Sequence, residues 1–244
     1  MKKNIILSML FLAAVAMLNG QDALTILEKC DSVTYAPKDQ VNKIKTILTD
    51  SKGRTQEREA IASQMGNHYR LFRFTAPASQ EGIAFLSLPD DVMYLYLPAY
   101  NKSRRIASHV KNQNFAGTDL SYDDMESVPM AQKYDGQLLE TTDEGYWLEL
   151  KNKPGKKSEY SKMHTLIDKH NFTILKSDYY DMGGNKVKTL VNNKIENIGG
   201  YWIITDLLMT DLKKNHSTRM IFTETMVDTG LTEDDFSLRL LERQ

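Results

Sequence analysis

Five histidines are the side chains of this 244-residue sequence that could act as general bases or metal ligands. They are scattered and mostly fall near predicted turns: His68, His109, His164, His170 and His216. The sequence has no G-x-S-x-G, H-E-x-x-H or P-loop motif, each of which brings a nucleophile, a metal or a phosphate to one point. The histidines are therefore interpreted as solvated side chains.

Three pairs of adjacent acids are the other candidates, namely Asp90-Asp91, Asp123-Asp124 and Asp234-Asp235. Neighbouring loop residues rarely direct two carboxylates to one point, so capping and solvation explain them better. A calcium site needs further spaced oxygen ligands, and a zinc site needs a His–Cys cluster; the sequence has neither. We expect no metal, no cofactor and no enzymatic activity, with a lipid hydrolase as the least favoured alternative.

The N-terminus has the pattern of an export signal. Lys2 and Lys3 precede an apolar run, Ile5–Leu18, of about 14 residues, which suits a signal peptide and is short for a membrane span. A buried helix is the alternative interpretation. We expect residues 1–20 to be removed and residues 21–244 to form one domain in the periplasm. Gln21 stands where a lipoprotein would have a cysteine, so a lipid anchor is not expected.

The charge balance disfavours nucleic acid as a partner. The chain has 31 Lys and Arg against 32 Asp and Glu, and loss of Lys2 and Lys3 leaves 29 against 32. Phosphate binding requires a basic surface instead. Cys30 is the single cysteine and makes no internal disulfide, so it is interpreted as a buried thiol in a helix, with pairing between chains as the alternative.

The elements that must position any site are mostly strands. Residues 21–33 have apolar side chains at helical spacing, and from Val41 onward the period changes to two, with turns every 8 to 12 residues or so. This rhythm predicts an antiparallel meander, with twelve segments between Val41 and Val227 interpreted as strands. A second, short helix is predicted to begin near Ser121, where Asp124 completes a capping box, and to end at Pro129.

A long antiparallel sheet curls, and its inner apolar face must be covered. Two predicted helices cover little of it, so the interior is either filled by large side chains or left open for a ligand. The methionines, including Met93, Met163, Met209, Met220 and Met226, suit a surface that adapts to acyl chains. Ordinary core filling remains the simpler explanation of the methionines.

Residues 70–125 contain motifs that resemble a known family. These are Phe72-Arg73-Phe74-Thr75-Ala76-Pro77-Ala78, Gly82-Ile83-Ala84-Phe85-Leu86, Tyr96-Leu97-Pro98-Ala99, Arg104-Arg105-Ile106-Ala107 and Phe115-Ala116-Gly117-Thr118-Asp119-Leu120-Ser121-Tyr122-Asp123-Asp124. In this order they are similar to the outer-membrane lipoprotein-sorting proteins, relatives of the periplasmic carrier LolA and the receptor LolB.

The resemblance implies a mainly β fold, an open half-barrel of about eleven strands with short lid helices over an apolar cavity. Carriers of this fold shield acyl chains between two membranes, and some are thought to work beside an RND-type (MMPL-like) transporter. The implied function is carriage of a lipid or acylated lipoprotein. An accessory subunit of such a transporter, with little or no carriage, is the alternative, because fold alone does not decide function.

Candidate site residues follow from this interpretation. The cavity is expected to be lined by inward-facing residues of the strands, namely Phe72, Phe74, Phe85, Leu95, Leu97, Tyr146, Leu148, Met220 and Phe222. The lid or rim is expected to contain Arg104, Arg105, Gly117, Asp119, Tyr122 and Asp123. Arg104 and Arg105 are adjacent on an extended segment, so they point to opposite faces, and solvated rim charges are the favoured interpretation. The alternative is that one of them contacts a headgroup or holds the lid through Asp119 or Asp123.

Overall fold

One antiparallel sheet of thirteen strands dominates the computed structural model, which describes residues 22–155 and 158–243. The strands are β1 Asp39–Thr49, β2 Thr55–Met65, β3 Tyr69–Ala76, β4 Ala84–Leu88, β5 Val92–Leu97, β6 Lys102–Arg105, β7 Tyr134–Thr141, β8 Gly145–Asn152, β9 Lys162–Asp168, β10 Ile174–Tyr180, β11 Lys186–Ile198, β12 Tyr201–Asp211 and β13 His216–Val227. Their order is β6-β5-β4-β3-β2-β1-β13-β12-β11-β10-β9-β8-β7.

The predicted open half-barrel is confirmed, with thirteen strands rather than about eleven. The sequence pattern predicts twelve of these strands; the thirteenth is the four-residue β6, which adds an outer edge after the 3₁₀ turn Pro98–Tyr100. Because β6 and β7 occupy opposite edges of the open sheet, the segment that joins them has to cross one face of it. The contacts of Phe115 with Phe72 and Phe74 place the segment on the concave side. Residues 106–129 of this segment are called the lid below.

Helices are short and few. They are α1 at 22–34, α2 Met130–Lys133 and α3 Leu238–Leu241, with 3₁₀ turns Pro98–Tyr100, Ser108–Val110, Phe115–Gly117 and Glu233–Phe236. None of the helices in the described part of the chain is long and apolar enough to cross a membrane. The predicted signal peptide, residues 1–20, lies outside the described residues.

The α1 helix fills one half of the concave side. Its buried face, with Ala23 and Leu27, packs on β7 and β8. Gly136 on β7 permits this approach, because a Cβ there would lie 3.1 Å from Leu27 Cδ1 and 3.2 Å from Ala23 Cβ. Asp31 then accepts hydrogen bonds from the backbone N–H groups of Met130 and Ala131 at the start of α2.

The lid fills the other half. Phe115 is fully buried, and its ring centroid lies 5.5 Å from that of Phe72 and 5.6 Å from that of Phe74. Phe85 and Tyr122 complete this aromatic cluster, at 6.0 and 5.9 Å from Phe115. Such contacts between rings add to the free energy gained by apolar burial.

The helix predicted to begin at Ser121 is wrong, although its capping bonds exist. Ser121 N–H donates to Asp124 Oδ2, and Asp124 N–H donates to Ser121 Oγ. The N–H groups of Tyr122 and Asp123, however, donate back to the carbonyls of Gln113 and Lys111, so the chain forms a turn there. Helix α2 begins only after the proline that was expected to end the predicted helix.

The C-terminal segment, residues 231–242, covers the convex side of β3 to β5. Phe236 and Leu241 pack with Leu86 and Tyr96 in a second apolar cluster. Arg73 fastens the segment by donating to the carbonyl oxygens of Leu240 and Leu241 at 2.7 and 2.9 Å. This cover accounts for strands that are apolar on both faces.

Candidate ligand cavity

A cavity of about 270 Å³ lies between the sheet, the C-terminal end of α1 and the lid. Its apolar wall is formed by Ile44, Phe72, Leu120, Met125, Leu190, Leu207, Met220 and Phe222. The volume is close to the lower end of the range of ligand pockets, roughly 300 to 1,000 Å³. Side chains of the protein therefore fill much of the half-barrel, and an apolar space remains in its centre.

The cavity reaches solvent at one rim of the sheet. Gln40 near the start of β1, Gln64 near the end of β2 and Arg70 near the start of β3 lie at this rim, because antiparallel neighbours alternate in direction. Trp202 near the start of β12 also borders the cavity and is 42% exposed. The cavity thus has an apolar interior and a polar mouth.

Beside the mouth the wall is formed by β12 and β13, which pair with each other over a short ladder. The pairing of β12 with β13 runs from Asp206↔Ile221 to Asp211↔His216, whereas the ladders that flank it continue to the rim. In the described residues, 201–205 and 222–227 have no backbone pairing with each other. Tyr201 Oη donates to Asp228 Oδ2 at 2.8 Å and bridges the two strands at the rim.

Arg70 is the charged residue at the mouth whose side chain faces the cavity. It alternates with the outward-facing Tyr69 and lies on the same face of β3 as Phe72. Its guanidinium donates to the carbonyl of Met125 at 3.1 Å and to Gln64 Oε1 at 2.6 Å. Burial lowers the pKa of Arg70, since its surroundings are poor in water.

The lid is docked to the sheet by polar contacts as well as by Phe115. Arg58 on β2 is buried and donates to the carbonyl of Ala116 at 2.6 Å, with its guanidinium 5.3 Å from the Phe74 ring centre. Asp119 is 1% exposed, and its carboxylate lies 2.7 Å from both Thr218 Oγ1 and His216 Nδ1. These bonds connect the lid to strands on both sides of the cavity.

Charged side chains hold the base of the lid. Lys111 pairs with Asp91 and Glu126, and Lys133 pairs with Asp123 at 2.9 Å and with Glu126 at 3.5 Å. The Glu126 side chain is only 6% exposed. Burial raises the pKa of Glu126 to about 7, a hydrogen bond shared with Asp91 reinforces the shift, and the two lysines oppose it.

The predicted cavity residues divide into two groups. Phe72, Met220 and Phe222 line the cavity. The others lie in or against the packed core around α1 and the lid, or are half-buried on the inner strands: Phe74, Phe85, Leu95, Leu97, Tyr146 and Leu148. Tyr146, for example, stacks on Phe172 with ring centres 6.2 Å apart. A role of these residues in lipid binding stays a prediction.

The predicted rim residues are also divided. Gly117, Asp119, Tyr122 and Asp123 lie within residues 106–129, the lid, and their role as a rim stays a prediction. Arg104 and Arg105 are exposed on the edge strand β6, and Arg104 lies 5.2 Å from the Tyr100 ring centre. The alternative in which an arginine holds the lid acids is wrong, because Asp119 bonds Thr218 and His216 and Asp123 pairs with Lys133.

Arg70, Arg58 and His216 border the cavity or bond the lid but were not predicted from the sequence. The alternation of β3 places Arg70 on the same face as two phenylalanines, and a cation on an apolar face was the available signal. Arg58 offered the same signal on β2. His216 is not simply solvated, because it contacts a buried carboxylate from 97 residues away, and no local pattern announces such a contact.

The acidic pairs serve local structure. Asp124 accepts hydrogen bonds from Ser121 N–H and Oγ, and Asp235 accepts hydrogen bonds from Thr232 N–H and Oγ1. Asp91 pairs with Lys111. Among residues 22–155 and 158–243, no group of three or more His, Cys, Asp or Glu side chains is arranged to hold a metal ion.

Comparison with known proteins supports the same fold. A family model with the description "Uncharacterized protein" matches residues 66–243, and no curated protein matches significantly. An outer membrane lipoprotein-sorting protein domain from Vibrio parahaemolyticus is 26% identical with a TM-score of 0.85, over 92% of this chain and 100% of that one. A DUF1329 family protein from Desulfovibrio piger is also 26% identical with a TM-score of 0.85, over 91% and 99%.

A LolA superfamily protein from Nitrosomonas europaea is 21% identical with a TM-score of 0.74, over 89% of this chain and 98% of that one. At this identity the likeness is one of fold. All three comparisons extend over nearly the whole of the other chain.

Proposed function

Since the chain belongs to the family whose model covers residues 66–243 and has the fold of the LolA-like outer-membrane lipoprotein-sorting proteins, we propose that it is a periplasmic carrier of a lipid or an acylated protein. The apolar cavity beneath the lid is the observation that carries the proposal. Transfer of an acyl chain from water to an apolar site is favourable by about 0.8 kcal/mol per methylene, so such a site shields a chain in transit.

The docking of the lid supports a carrier that opens. Arg58, Asp119 and the lysine–carboxylate pairs hold the lid by polar bonds, which water can replace when the lid lifts. Release then requires a receptor or membrane that binds the cargo better than the closed cavity does. An envelope transporter of the RND or MMPL type is one such partner, and export through the predicted signal peptide would place the protein beside it.

Lipid extraction and mass spectrometry of the purified protein test carriage. We expect one or more acyl species in near-stoichiometric amounts. An empty cavity that also fails to take up fatty acids in titration would contradict the proposal and favour the alternative of an accessory subunit.

A cavity-filling variant makes the test specific. Ala62 is half-buried and borders the cavity, so Ala62→Phe is expected to occupy it and to lower acyl binding at least tenfold or so. Ile61 is its neighbour on the opposite face of β2 and is 40% exposed, so Ile61→Phe adds a ring outside the cavity as the matched control. Equal binding by the two variants would place the cargo elsewhere.

A further inference from the structure

We propose that the cavity selects an anionic lipid, with Arg70 receiving the carboxylate or phosphate at the polar end of the tail. The proposal rests on the proposed function and specifies its cargo. The geometry that carries it is a guanidinium at the junction between a polar mouth and an apolar interior.

Arg70 has bonding capacity to spare. A guanidinium has five N–H donors, and the contacts in the described residues are two, one to the Met125 carbonyl and one to Gln64 Oε1. Both acceptors are neutral. Among the described residues, no carboxylate oxygen lies within ion-pair distance of Arg70, whereas Arg219 on the convex face pairs with Asp206. A half-buried cation without a counter-ion favours an anionic ligand.

The acid that borders the same cavity does not neutralise Arg70. Asp124 accepts hydrogen bonds from both the N–H and the Oγ of Ser121 at 2.8 Å. Burial raises the pKa of Asp124, and the positive charge that opposes this shift is that of Lys188. Tyr35 is the other titratable group beside Arg70, and burial raises the pKa of its phenol, so it stays neutral at pH 7. The mouth therefore presents one uncompensated positive charge.

The surroundings of Arg70 suit a headgroup at the mouth and a tail in the apolar interior. Gln64 accepts a hydrogen bond from the guanidinium, and Gln40 borders the same cavity at the rim, so neutral amides line this end of the cavity. Phe72, two residues along the same face of β3, begins the apolar wall. An anion bonded to Arg70 would thus have its tail directed along Phe72 towards Met220. A tail whose polar end is a neutral ester, amide or alcohol offers this cation no formal charge, which is the chemical basis of selection.

Calorimetric titration with amphiphiles of one tail length tests the assignment. Dodecanoate and dodecyl phosphate are anionic, and dodecanol is their neutral counterpart. The wild type is expected to bind the two anions at least tenfold or so more tightly than dodecanol. Arg70→Gln should lose this preference and bind dodecanol within about threefold of wild type. Arg104→Gln removes the same charge from the exposed edge strand and should keep the preference.

Each outcome separates the two proposals. Equal binding of dodecanoate and dodecanol by the wild type, or an unchanged preference in Arg70→Gln, overturns the anionic cargo and leaves carriage standing. Failure of all three amphiphiles to bind overturns both. Inorganic phosphate that binds as tightly as dodecyl phosphate would identify a site for free anions and overturn the lipid assignment.

A second measurement covers the case in which Arg70→Gln does not fold. Binding of dodecanoate to the wild type should weaken as ionic strength rises, while binding of dodecanol should not, since only the former includes an ionic contact. Arg70→Lys retains the cation and is expected to retain part of the preference. The same salt dependence for both amphiphiles would contradict the proposal.

Discussion

The hydroxyl of Thr218 and the backbone and carboxylate of Asp119 bond each other reciprocally. Asp119 N–H donates to Thr218 Oγ1 at 2.9 Å, and Thr218 Oγ1 donates to Asp119 Oδ2 at 2.7 Å. Both residues are buried, at 1% and 0% exposure. One threonine on β13 therefore bonds a lid residue 99 positions earlier in the chain and connects the lid to the sheet.

Thr218→Val is expected to loosen the lid. The valine keeps the shape of the threonine but leaves a buried N–H and a carboxylate short of a partner, which costs about 1 to 3 kcal/mol. Thermal unfolding and hydrogen exchange at the Asp119 amide measure the effect. Thr210→Val, on the neighbouring strand and half-exposed, is the control. The same change in Tm for both variants would show that the bond contributes nothing.

Glu126 is expected to make stability depend on pH. Its folded pKa, about 7, is above the ordinary value of 4.5, so the folded state holds the proton more tightly than the unfolded state. The stability that the folded state gains from this tighter proton binding is complete below about pH 4.5 and is lost as pH rises through about 7. Glu126→Gln resembles the protonated form, and its free energy of unfolding should fall less than that of wild type between pH 5 and 8. Free energies of unfolding are measured by urea denaturation at each pH. The same decrease between pH 5 and 8 in both proteins would refute the prediction.

Cys30 should be chemically silent in the folded protein. It is fully buried in α1, and burial raises the pKa of its thiol to about 12, so almost no thiolate exists at pH 8. A thiol-specific reagent is expected to modify it only in urea, at the rate of unfolding. Rapid labelling without denaturant would mean that α1 leaves the concave side readily.

Trp202 should report occupancy of the cavity. The chain has two tryptophans, and Trp147 lies on β8, away from the cavity, with Lys176 Nζ 5.9 Å from its ring centre. In a Trp147→Phe background, binding of an acyl chain should shift the remaining emission to shorter wavelength, because the indole leaves water. The Ala62→Phe variant should abolish the shift. A shift that persists in that variant would locate the chain outside the cavity.

The sheet could be predicted from sequence because its signal is local. Alternation such as that of Tyr146 to Leu150, with turns at regular spacing, is visible without knowledge of the fold, and twelve of the strands follow from it. The residues of the cavity depend instead on what covers each stretch of the inner face. Phe74 and Phe85 were predicted to line the cavity, but Phe115 of the lid packs on them, and this long-range contact has no signature in the sequence.

Arg104 and Arg70 illustrate the same limit. The adjacent arginines were conspicuous as a motif, yet they lie on the exposed outer strand. Arg70 was inconspicuous, and its importance comes from the strand period that turns it inward and from the absence of a partner acid among the described residues.

The abbreviated ladder between β12 and β13 determines where the half-barrel can most easily widen. It consists of six residue pairs, whereas β1–β13 and β11–β12 each have ten. Fewer backbone hydrogen bonds have to break for these two strands to separate than for either flanking pair. A ligand larger than the cavity would hence be accommodated by separation of β12 from β13 near the mouth, and the Tyr201–Asp228 hydrogen bond would be the first to break.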